Sequence, residues 1–167
     1  MQITIDSPSK YQLSQRDRHW INHNIGGSDL TVGGYGCLLT CASMISAEFG
    51  GYKDPAQIAA NTFLFTPDGL FYWTRVQKFV PVLSFAWRQY DFSPATIANF
   101  LVPGKKASVL KVAINPARQQ FHWLKVVGIV KTKKGMDYLC NDPWTGRQCY
   151  ALLTYGKILG SGHFIKA

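Results

Sequence analysis

Acidic residues are scarce in this chain. Nine Asp and Glu stand against 18 Lys and Arg, giving a formal net charge of +9. No run of 18 apolar residues is present, which excludes a membrane-crossing helix of ordinary length. The four cysteines and four histidines form no Cys-x-x-Cys pair and no Cys/His group at zinc-ligand spacing, so neither a metal nor another cofactor is expected. The basic residues make no long basic helix and no known nucleic-acid motif. They are scattered, with short clusters at Lys105-Lys106 and at Lys131, Lys133 and Lys134, so a nucleic-acid partner is not expected. The first ten residues are polar and lack the apolar segment of a secretory signal. Internal repeats and low-complexity linkers are also lacking.

What remains is a globular composition: 47% hydrophobic and 16% charged residues, with aromatics at 14%. A length of 167 residues predicts one domain over 1–167. The positive surplus favours an anionic partner such as a bacterial cell wall, or serves solubility alone.

The pattern along the chain divides in two. Residues 1–6 alternate as a short strand would, and 7–24 read as an extended polar arm with a turn. A helix of about three and a half turns is predicted from Cys37 to Phe49, stopped by Gly50-Gly51. Further helices are predicted from Pro55 to Ala60, from Phe71 to Phe79 and from Ser93 to Leu101. Strands are predicted over 107–115 and 121–131, followed by a hairpin of 137–141 and 147–152 around the turn Asp142-Pro-Trp-Thr-Gly146. Helices first and antiparallel strands later is an α+β order, with a groove between the halves.

Cys37 stands where a glycine-rich loop becomes a buried helix. A helix N-terminus favours thiolate over thiol, which makes the sulfur a nucleophile. Its own N–H is a candidate oxyanion donor, and Gly36 leaves room for a substrate carbonyl. Tyr35, Gly36 and Trp123, next to the candidate nucleophile and base, are the candidate substrate contacts. Cys41, one turn further on, reads as core. His122 begins an apolar strand, where a base facing the helix would have to stand. Asp142 ends the next strand, where it could accept from the imidazole and fix its tautomer. Cys140 and Cys149 flank the turn, either as a disulfide or as free thiols.

Together these residues resemble a known pattern. Cys37 at the head of a buried helix, then His122-Trp123 and an apolar strand, then Asp142-Pro-Trp-Thr-Gly146 resemble the papain-like bacteriocin-processing peptidase family and its relatives. The stretches Ser14-Gln-Arg-Asp-Arg-His-Trp20 and Thr31-Val-Gly-Gly-Tyr-Gly-Cys-Leu-Leu-Thr40 are similar to its phage-type branch. The resemblance runs from about residue 12 to residue 146. It implies a papain-like fold with Cys37 as nucleophile, His122 as acid and base, Asp142 orienting His122, and Gln15 supplying an oxyanion donor; Gln12 competes for that last role. Leu38-Leu39 replaces the Gly-Pro common after the family's nucleophile.

The expected function is a thiol hydrolase of peptide or amide bonds, with the peptide stems of peptidoglycan as substrate. It would act in a phage virion or be released to the bacterial cell wall, after a cytoplasmic stage that needs no signal. The alternative is a catalytically silent papain-like component of a virion, associated with other phage proteins.

Overall fold

A computed structural model describes residues 2–3 and 11–167. Six strands form an antiparallel sheet in the order β2 (Leu83–Gln89), β7 (Ile158–Lys166), β3 (Lys106–Asn115), β4 (Gln120–Thr132), β5 (Gly135–Asp142) and β6 (Arg147–Tyr150). A seventh, β1 (Gln2–Ile3), pairs with Val130 and Ile129 of β4. The helices are α1 (Val32–Tyr35), α2 (Cys37–Glu48), α3 (Pro55–Ala59), α4 (Val76–Phe79), α5 (Pro94–Asn99) and α6 (Ala151–Tyr155). The architecture is therefore α+β. Among the described residues, no helix is long and apolar enough to cross a membrane.

α2 is the spine of one face. Cys41, Met44 and Ile45 are wholly buried in a core that includes Val109 and Trp123 of the sheet. Each fully buried aliphatic side chain contributes about 1.5–3 kcal/mol. The Cys41 thiol donates to the Trp123 carbonyl at 3.5 Å, which ties the helix to β4. Gly50 closes α2 in the left-handed region at φ +84°, and the Gly51 N–H returns to the Ser46 carbonyl at 2.9 Å. Glu48, in the last turn, pairs with the buried ammonium of Lys125 on β4. A second core, on Leu110, Val112, Leu124 and Tyr138, also takes in Ile97 of α5 and Ala151 of α6.

The helices and strands are less segregated than their order predicts. β2 interrupts the helical half and pairs with β7. Its alternation of Leu83, Phe85 and Trp87 with smaller or polar residues has the period of a strand. β7 lies inside the sheet despite Gly160 and Gly162, which weaken strand propensity. The reason for Gly162 is packing: a Cβ there would come within 2.4 Å of the Trp73 indole, whose ring stacks on Phe164 at 5.7 Å.

The helix predicted over 71–79 is shorter, a 3-10 turn at Trp73–Arg75 running into α4. α3 carries a full capping box of Asp54 and Gln57. Of the strand expected over 1–6, only Gln2–Ile3 are described; the rest lies outside the described residues. The expected arm over 7–24 is, from residue 11 on, a series of turns rather than an extended run. Cys140 and Cys149 are register partners across β5 and β6, and all four cysteines are free.

Candidate active site

The site is assembled where the start of α2 meets the ends of β4 and β5. Gly36 is the N-cap of α2 and brings no side chain to the first-turn N–H groups. Those groups stay available at the positive end of the helix. Gly36 has a backbone reason of its own, since a Cβ there would lie 2.5 Å from the Val32 carbonyl oxygen. This is a different constraint from room for a substrate. Tyr35 and Trp123, by contrast, line the cavity that contains Cys37.

His122 and Asp142 stand on neighbouring strands. The last pair of the β4–β5 register is Lys125 with Asn141, so Asp142 continues opposite Leu124, two residues from His122 and on its face. His122 Nε2 lies 2.7 Å from Asp142 Oδ1, and both residues are buried. With Nε2 engaged, Nδ1 is the ring nitrogen left for Cys37, whose side chain interacts with the imidazole by hydrogen bond and by charge. Burial alone would pull the His122 pKa down. The hydrogen bonds to Asp142 and Cys37 and the charges on both outweigh it and lift the pKa to about 9. Burial pushes the Asp142 carboxyl up, but His122, Tyr155 and the Trp144 N–H bring it below the usual value.

Gln15 is buried in the same corner. Its backbone N–H donates to the Pro143 carbonyl at 2.8 Å, next to Asp142. Its side-chain Nε2 donates to the carbonyls of Gly33, at 3.1 Å, and Val32, at 3.4 Å, in the turn that leads to Cys37. Its Oε1 is buried without a protein partner. The Gln12 amide donates to the Asp142 carbonyl at 3.2 Å and to the Leu13 carbonyl at 2.8 Å.

Tyr155 was not singled out from the sequence, and Cys149 was singled out only as half of a disulfide or a free thiol. The Tyr155 hydroxyl donates to Asp142 Oδ2 at 2.5 Å. Its ring lies 5.7 Å from that of His122, and burial and the carboxylate hold its pKa well above the ordinary phenol value. The Cys149 thiol lies 4.0 Å from the same Oδ2, and burial followed by the Asp142 charge pushes it up to about 12. Tyr155 sits on α6, a five-residue helix with no strong amphipathic period, so no local signal marks it.

Cys37 lines a cavity of about 160 Å³ with Leu38, Phe71, Phe121 and Trp123. The last four residues also wall a larger recess of about 840 Å³. A nucleophile at the end of an apolar cleft, beside a carboxylate-oriented imidazole, can attack an acyl carbon and return a proton to the leaving group. Among the described residues, no group of three or more His, Cys, Asp or Glu is placed to hold a metal ion. Neither a protein-family model nor a curated protein matches the sequence.

Proposed function

We propose that this protein is a thiol hydrolase of peptide or amide bonds with a papain-like arrangement, and that its substrates are the peptide stems of peptidoglycan. The observation that carries the reading is the buried 2.7 Å contact between His122 Nε2 and Asp142 Oδ1, on an imidazole that also meets Cys37 at the head of α2. A carboxylate on one ring nitrogen and a thiol on the other is the arrangement that acyl transfer to sulfur requires.

The Cys37 sulfur, its proton held on His122 Nδ1, attacks the scissile carbonyl and forms a tetrahedral oxyanion. The Cys37 N–H is one donor to that oxygen, and the Gln15 carboxamide becomes the other by giving up its longer, 3.4 Å contact with the Val32 carbonyl. Collapse of the intermediate breaks the C–N bond as His122 gives its proton to the departing amine, leaving a thioester on Cys37. Water, deprotonated by His122, attacks the thioester. The carboxylate product leaves, and Cys37 and His122 return to their first state. Asp142 stays ionised throughout and holds the ring in one orientation. The net charge of +9 supports residence on an anionic wall polymer.

The test is alkylation of Cys37 by iodoacetamide from pH 4 to 9, alongside release of free amino groups from purified peptidoglycan. Rapid alkylation below pH 7 that disappears in His122→Ala, together with amine release that disappears in Cys37→Ala, is the expected result. Alkylation unaffected by His122→Ala, with no amine release, sinks the reading.

A further inference from the structure

Arg88 on β2 and Lys111 on β3 both face the larger recess, and both are half-buried. The sheet register explains how two distant residues come together. Arg88 pairs with Gly162 of β7, Gly162 pairs with Val109 of β3, and Lys111 pairs with Gly160. Opposed residues, and residues two apart on a strand, share a face. The two cations therefore stand on one face, two strand spacings across and two residues along, about 12 Å apart at the backbone, with only glycines presented to that face by the strand between them.

Aromatic rings form their surroundings. The Arg88 guanidinium lies 5.4 Å from the Trp73 ring and 5.2 Å from the Trp123 ring, and Lys111 Nζ lies 4.1 Å from the Phe121 ring. Neither cation has an ion-pair partner among the described residues. No acidic side chain lines either cavity. Burial, and then the charge of Arg88, press the Lys111 ammonium below its ordinary pKa. Two like charges on a half-desolvated apolar wall repel each other, and an anion placed between them relieves that repulsion.

We propose that Arg88 and Lys111 form an anion-binding subsite that selects peptide substrates carrying a carboxylate. The purpose assigned to this subsite rests on the thiol-hydrolase reading, because the recess continues into the cavity of Cys37 through shared walls. A nucleic acid would need a basic track for successive phosphates, whereas these cations stand together in a bounded recess.

The experiment measures binding to the full chain carrying Cys37→Ala, by tryptophan fluorescence, so that no turnover is needed. The probes are blocked alanine hexapeptides with one glutamate or one glutamine at each position in turn. At one position the glutamate peptide binds roughly tenfold or more tighter than its glutamine twin, and raising the salt narrows the gap. Arg88→Gln and Lys111→Gln, each melting as the parent does, remove most of that preference; two separate variants guard against one failing to fold. Equal binding of the glutamate and glutamine peptides, or no binding of either, overturns the proposal. So does tighter binding of a single-stranded oligonucleotide than of any acidic peptide. A glutamate preference that persists while the wild-type chain hydrolyses no peptide leaves the subsite standing and removes the hydrolase reading instead.

Discussion

Two histidines are buried in the same sheet, and they are opposites. His122 on β4 and His163 on β7 are 1% and 0% exposed, and burial pulls both toward the neutral form. His122 nevertheless rises to about 9, whereas His163 falls to about 4. The difference lies in what each ring nitrogen meets. His163 has Ser108 Oγ 2.8 Å from Nδ1 and Ser161 Oγ 2.9 Å from Nε2, with Trp87 and Phe100 at ring distances of 4.8 and 4.9 Å. Those partners are hydroxyls and rings without charge. His122 has a carboxylate and a thiol. Burial makes a histidine costly to charge, and only partners of opposite charge turn that cost into an imidazolium available for chemistry. The cysteines differ in placement. Cys41 and Cys140 are wholly buried, and burial raises both thiols well above the ordinary value, at Cys41 against the opposing pull of the Lys125 ammonium. Cys37 alone among the four stands at a helix N-terminus beside an imidazole.

The comparison breaks most sharply under alanine. His122→Ala should lower amide hydrolysis by about 10³-fold or more, because nucleophile and base act as a unit. His163→Ala should leave the rate of Cys37 alkylation unchanged while lowering the melting temperature. Equal losses of activity in both variants would mean that His122 supports the fold and does no chemistry.

Removing the charge rather than the ring sharpens the contrast. Asp142→Asn keeps the volume but deletes the carboxylate that raises His122. Burial then dominates, and the His122 pKa falls. The alkaline limb of the pH–rate profile, set near 9 by loss of the imidazolium, should shift to lower pH, with kcat reduced by roughly 10²–10⁴-fold. An unmoved alkaline limb would show that Cys37 alone sets the imidazole's charge. Tyr155→Phe is the milder version. It deletes one hydrogen bond to Asp142 Oδ2 and leaves the carboxylate in place. A loss of about tenfold in kcat with KM unchanged, and a small shift of the same limb, is expected of a positioning residue. A change in KM alone would place Tyr155 in substrate contact instead.

Much of this corner was legible in the sequence because its signals are local. The apolar run from Cys37, the stop at Gly50-Gly51 and the Asp142–Gly146 turn each depend on a few adjacent residues. The structure returns them as α2, its left-handed cap and the β5–β6 hairpin. What the sequence hid depends on partners far along the chain. β7 pairs on both sides although its glycines argue against a strand, because Gly162 clears space for Trp73 of a distant 3-10 turn. Tyr155 reaches Asp142 only once α6 folds back over β5. Arg88 and Lys111 meet only through the register of an intervening strand. The amide orientation of Gln15 is likewise decided by the carbonyls of Val32 and Gly33, which no spacing rule reveals.

The smallest effect expected is on stability, and it carries opposite signs at the two histidines. His163 has a folded pKa of about 4, below the ~6.5 of an unfolded imidazole. The unfolded chain therefore binds the extra proton first as the pH falls, and stability is lost between about 6.5 and 4, by roughly 3 kcal/mol at the lower end. His122 has a folded pKa of about 9, above the unfolded value. Its contribution is complete below about 6.5 and is lost as the pH rises toward 9. Melting curves from pH 4 to 9 for the wild type, His163→Gln and His122→Gln separate the two. His163→Gln should flatten the acid side by several degrees, at about 2–4 °C per kcal/mol for a chain of this size, and leave the alkaline side as it was. His122→Gln should do the reverse. If both variants flatten the same side, the two imidazoles are in equivalent electrostatic surroundings, and the carboxylate at 2.7 Å is not what distinguishes the candidate site from the core.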